Sequence, residues 1–129
     1  MKTKAVFLLA LIGASCCFAD NDGFELKYEP ANVKYAIYGF GLGDPIKPTV
    51  KDSKITFLVT GNAAKNMFDL MPPDRKDGCV GEGSRLRFRD NANLVCTKDK
   101  DGYSCYFGFD LKTGKSIGGI PADRVRTGF

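Results

Sequence analysis

The chain has 129 residues, with 19 lysines and arginines against 15 acidic residues, a net charge of +4 and no histidine. Without histidine it lacks the commonest general base, the usual partner of a serine or cysteine nucleophile, and the commonest metal ligand. The length suits one domain rather than two, and a chain of this size can bury a modest core unaided.

The N-terminus reads as a secretory signal peptide, residues 1–19. A basic "MKTK" precedes the apolar run "AVFLLALIGA", then "SCCFA" and the polar "DNDG". That order is the leader pattern, and the run is too short to span a bilayer, which needs roughly 20 apolar residues. A buried N-terminal helix is the plain alternative. Cleavage is expected after Ala19, with Cys17 and Ala19 as the small residues of the site. Lipidation at Cys16 is the rival, but Gly13-Ala14-Ser15 lacks the leucine expected three places before the cysteine. The style of the leader is bacterial, so the expected destination is the periplasm or the medium. Cleavage removes Lys2 and Lys4 and no acidic residue, so the net charge falls from +4 by two. Nothing in that balance favours nucleic acid.

Residues 20–129 are expected to form a single small α+β domain. "FELKYE" (24–29) alternates apolar and polar residues and predicts a strand ended by Pro30. "VKYAIYGFGL" (33–42), rich in aromatic and β-branched residues, predicts a second. Gly39, Gly41 and Gly43 lead into "GDPIKPT", a turn region with two prolines. "KITFLVT" (54–60) predicts a third strand. In "GNAAKNMFDLMPP", Ala64, Met67, Phe68 and Met71 fall at i, i+3, i+4 and i+7, a single helical stripe. This predicts a short amphipathic helix over about 63–71, capped by Thr60 or Asn62 and stopped by Pro72 and Pro73. A polar loop holding Cys79 leads to a three-strand meander at about 84–90, 94–98 and 103–111. The last segment, "SIGGIPADRVRTGF", has few packing signals beyond Ile117 and Ile120. The predicted architecture is a mostly antiparallel sheet of five or six strands with one helix packed on one face.

The three cysteines beyond the leader are Cys79, Cys96 and Cys105. If Lys98 pairs with Tyr103 across the loop Asp99-Lys100-Asp101-Gly102, Cys96 lies opposite Cys105. Opposed Cβ atoms are roughly 4.5–5.5 Å apart, within reach of a disulfide, and an exported protein meets an oxidising compartment. Cys96–Cys105 is the preferred bond. Cys79 bonded to either strand cysteine is the competitor, and that longer loop would gain more in the entropic account. In the preceding hairpin a three-residue loop, Asn91-Ala92-Asn93, would place Leu86, Phe88, Leu94, Cys96, Cys105, Phe107 and Phe109 on one core face. A loop of two or four residues would put Arg87 and Arg89 there instead.

No metal site is expected. Three thiolates lack a fourth zinc ligand, and the cysteine spacing matches no zinc pattern. "DKDG" opens like a calcium loop, but its glycine falls too early and no glutamate follows. "YGFGLGDP" runs into proline rather than a helix, so no phosphate loop or other cofactor site follows. It reads as a bend or as a mobile binding loop displaying Tyr38 and Phe40. The acidic residues sit mostly in turns or alternating polar positions, so no catalytic pair stands out.

"RLRFR" is the strongest binding candidate. Arg85, Arg87 and Arg89 share one strand face, and their forks match carboxylate and phosphate. They could dock an acidic partner protein, an anionic glycan or lipopolysaccharide phosphate. The plain reading is a solvated strand face whose charges discourage edge pairing. The sequence therefore points to a small exported monomeric binding protein and not to an enzyme. An inhibitor or immunity protein that occludes a partner fits, touching it through the arginine stripe or through residues 39–44. An envelope protein binding anionic glycan or lipid is the alternative, and a carboxylate-dependent hydrolase the third reading. Likeness to small exported inhibitors and immunity proteins in architecture alone does not imply function.

Overall fold

Runs of aromatic and β-branched residues at alternating positions build one antiparallel sheet. A computed structural model describes residues 23–76 and 83–119, together with Gly13. Its elements are β1 (Asn32–Gly41), β2 (Asp44–Ile46), β3 (Lys54–Thr60), α1 (Asn62–Asp69), β4 (Arg85–Arg89), β5 (Leu94–Asp99), β6 (Gly102–Asp110) and β7 (Ser116–Ile117). The sheet runs β2-β1-β3-β6-β5-β4, and β7 extends the β5 side of β6. The class is α+β: a mostly antiparallel sheet with a single short helix among the described residues.

The register sorts side chains between two faces. Val33, Tyr35 and Ile37 of β1 oppose Val59, Phe57 and Ile55 of β3. Those oppose Cys105, Phe107 and Phe109 of β6. The helix lies on this face, over β6 with β3 and β5 to its sides. Its buried Ala64 and Phe68, with Met71 just beyond, close a core on Val59, Cys96 and Cys105. The Phe68 ring meets Tyr103 edge-on, centroids 5.4 Å apart. The apolar stripe read from the sequence is thus the one that is buried.

Cys96 and Cys105 are directly opposed and joined by a disulfide, Cα atoms 4.1 Å apart. Both are fully buried. The pairing of Lys98 with Tyr103 holds too, and the ladder continues one pair further to Asp99 and Gly102. Close approach shapes the end of the described chain: a Cβ on Gly119 would lie 2.5 Å from the Phe107 nitrogen. Only glycine lets the segment after β7 lie so close to β6.

Four local expectations are corrected. No strand forms over residues 24–29, and every residue there is exposed. Part of the proline-bearing turn region is instead β2, a three-residue edge strand, where a proline costs no ladder bond. The helix is capped by Gly61, at φ 74°, without any side-chain bond from Thr60 or Asn62, and it ends at Asp69. The fourth concerns β4. Arg89 pairs with Leu94 and Arg87 with Cys96, so the loop has four residues, Asp90 to Asn93. Leu86 and Phe88 therefore oppose Thr97 and Val95, on the face away from the disulfide. Asp90, Asn91 and Ala92 all take left-handed φ, 55°, 52° and 66°, and the Asn93 N–H closes the turn on the Asp90 carbonyl at 2.9 Å. The leader apart from Gly13, with Cys16 and the cleavage position, together with Cys79 and the segment from Ile120 onward, lies outside the described residues.

Candidate binding surface

The β4 register turns the three arginines toward the helix. Arg87 donates to the Phe68 carbonyl at 2.6 Å and to Asp74 at 2.7 Å. Its guanidinium lies 4.1 Å from the Phe68 ring centroid. Arg85 makes a two-pronged bond to Asp74, at 2.7 and 3.2 Å, and stacks over the same ring from 5.1 Å. Arg89 donates to the carbonyls of Phe88 and Pro72. Cations and N–H donors at a helix C-terminus satisfy its orphan carbonyls and its dipole. Arginine does this well because it is flat, always charged and apolar along its stem. The two arginine hydrogen bonds hold the Asp74 carboxyl at about 2, below its ordinary 3.8. The structure thus brings the three predicted arginines together along the border of the helix, each with intramolecular bonds.

A different constellation stands at the other side of the sheet. Gly39, Phe40 and Gly41 pair with Ile46, Pro45 and Asp44, leaving Leu42 and Gly43 as the turn. Phe40 takes φ 63°, a conformation rare for a bulky residue and typical of glycine. Its N–H donates to Asp52 Oδ2 at 2.8 Å. The other oxygen of Asp52 accepts from Lys54 at 2.5 Å. Both bonds lower the Asp52 pKa, the lysine bond most, and the same partnership raises that of Lys54. Asp52 is itself fixed, because residues 49 and 52 exchange backbone bonds of 3.0 and 3.2 Å and Thr49 Oγ1 accepts the Asp52 N–H at 3.1 Å.

The result is a phenylalanine held outward by a polar clamp. Phe40 is 63% exposed, and Leu42 and Ile46 of the same hairpin are exposed as well. Tyr38, named with Phe40 as a residue the loop could display, is buried instead, and burial raises its pKa against the opposing pull of Lys54. The sequence offers three glycines around Phe40, yet the left-handed turn falls on the phenylalanine. Only the tertiary bond to Asp52 reveals that, so the sequence alone carried no signal for it.

Among the described residues no group of three or more His, Cys, Asp or Glu side chains is placed to hold a metal ion, and no helix is long and apolar enough to cross a membrane. Comparison of this chain with protein-family models, with characterised proteins and with solved structures finds no match.

Proposed function

We propose that this chain is a small exported binding protein that acts by occluding a partner, as an inhibitor or an immunity protein does. The observation that carries this reading is the exposed Phe40, kept in a strained backbone conformation by the Asp52 clamp. Strained non-glycine residues persist where the surroundings enforce them, and they cluster at functional sites. An exposed aromatic on a rigid support also offers large contact area at little conformational cost. The buried disulfide suits an oxidising compartment, which supports the periplasm or the medium as the place of action.

The test is capture from native cell-envelope extract by the purified protein, with Phe40→Gly in parallel. The expected result is one stoichiometric protein partner that the variant loses. Equal retention by both proteins would reject the Phe40 tip as the contact.

A second reading is binding of anionic glycan or lipid at the β4 border, and one observation favours it. Among the described residues one carboxylate, Asp74, is shared by both Arg85 and Arg87, so an anion could compete for either guanidinium. Binding through that border would weaken steeply with salt, whereas binding through the Phe40 tip would not.

A further inference from the structure

The segment before β1 has every sequence mark of a strand and no ladder. Phe24, Leu26 and Tyr28 alternate with Glu25, Lys27 and Glu29. The three apolar side chains are 78–103% exposed. Lone exposed hydrophobics are ordinary, but three at strand spacing on an unpaired arm are not. The same region of the fold holds an unfilled strand position. β1 pairs with β3 along residues 32–38 on one side. On its other side, β2 occupies only residues 39–41, so among the described residues the outer edge of β1 from Asn32 to Tyr38 carries no ladder. Along that edge the helix face is also bare: Val33, Tyr35 and Ile37 are 46–69% exposed, because α1 sits over β3, β5 and β6.

The arm and the edge match. Three apolar residues at two-residue spacing face three more, over similar lengths of roughly 20 Å at the usual rise per residue. Lys34 is the single charged residue of β1, while the polar side of the arm carries two acids, Glu25 and Glu29, with one lysine. A long, open, partly apolar edge is a template for another strand. The arm leads directly into the start of β1 and is exposed along its whole length, with no ladder to its own β1 edge. We propose that the arm, residues 24–29, adds as a strand to the free β1 edge of a second copy of this chain, and that the exchange is reciprocal. Each copy would then cover the other's Val33, Tyr35 and Ile37 with Phe24, Leu26 and Tyr28. Short hinges and exchangeable terminal strands are the usual route to such dimers. The exchange departs from the monomer that the sequence suggests. It uses the β1 edge and not the Phe40 tip, so it stands apart from the proposed partner contact.

The experiment is sedimentation equilibrium of the purified protein and its Leu26→Asp variant, with a photo-crosslinking amino acid at position 26 in a third sample. Leu26 is exposed, so these changes leave the core alone. The expected result is a reversible dimer, weakened at least about tenfold by Leu26→Asp, with crosslinks from position 26 to residues 32–38 of the other chain. A monomer at every concentration would overturn the proposal. So would a dimer indifferent to Leu26→Asp, or crosslinks confined to one chain, which would place the arm on its own β1.

Discussion

The two borders of the sheet treat side chains in opposite ways. At the β4 border, charged residues are drawn inward: Arg85 and Arg87 share Asp74 and lie on the Phe68 ring, and Arg89 reaches the carbonyl of Pro72. At the β1 border, apolar residues are left outward: Tyr35, Ile37, Phe40 and Ile46 are all exposed. The helix explains the difference. Eight residues long, it cannot cover seven strands. It lies over β6 between β3 and β5, within reach of the long Arg87 side chain, which bonds the Phe68 carbonyl, and it leaves β1 bare. Charge at the first border is bonded within the fold, while apolar surface at the second is left exposed. An exposed side chain's value for binding thus cannot be judged by its type alone.

Breaking the shared centre of the β4 border should have the largest effect. Phe68 is fully buried and is also the platform for two arginines. Phe68→Ala should cost about 3–5 kcal/mol of unfolding free energy, measured by urea denaturation. Arg87→Ala should cost less, about 1–3 kcal/mol, for the lost charge-assisted bonds to Phe68 and Asp74. Because both variants remove one contact, the double variant should fall short of the sum. Strict additivity would mean that the guanidinium and the ring act independently.

Acid should dissolve the same border in a defined window. Asp74 has a folded pKa of about 2 against an ordinary 3.8. A depressed carboxylate stabilises the fold above its unfolded pKa, and that contribution is lost as pH falls through the folded one. The destabilisation caused by Asp74→Asn should therefore be full at neutral pH, shrink as pH falls through about 4 and vanish only below the folded pKa of about 2. Thermal melts of both proteins across that range would show the two curves converging. A constant gap would mean that the substitution disturbs packing rather than charge.

Much of this fold was legible because alternation and helical period are local signals. The strand at residues 54–60, the Ala64–Met67–Phe68–Met71 stripe and the Cys96–Cys105 bond all followed from spacing. The β4 register did not. The sequence rule assumes that an arginine facing the core costs more than a leucine facing out. Here Asp74, the carbonyls of Phe68 and Pro72 and an aromatic face reverse that preference, and none of these partners is near β4 in sequence. The unpaired arm fails for a related reason: alternation reports that a segment can be a strand, not that a neighbour is present. Of the candidate surface, residues 39–44 were in view, but the roles of Tyr38 and Phe40 were not separable, because the clamp comes from Asp52 across the chain.

The smallest effect on stability should carry the most information about the β1 border. Phe40 sits at φ 63°, where a non-glycine residue bears a cost of roughly 1–2 kcal/mol. Phe40→Gly removes that cost but adds freedom to the unfolded chain, worth up to about 1 kcal/mol in the other direction. The exposed ring buries little, so the two should nearly cancel and the Tm should barely move. A residue kept only for the fold would show the opposite, a clear loss of stability on removal. Lost partner capture together with an unchanged Tm would mean that the strain at Phe40 serves display rather than folding. Asp52→Asn then sharpens the point. Weakening the acceptor for the Phe40 N–H leaves the ring present but less fixed, so capture should weaken without disappearing. If capture survives Asp52→Asn at full strength, the ring alone suffices and its rigid presentation contributes nothing.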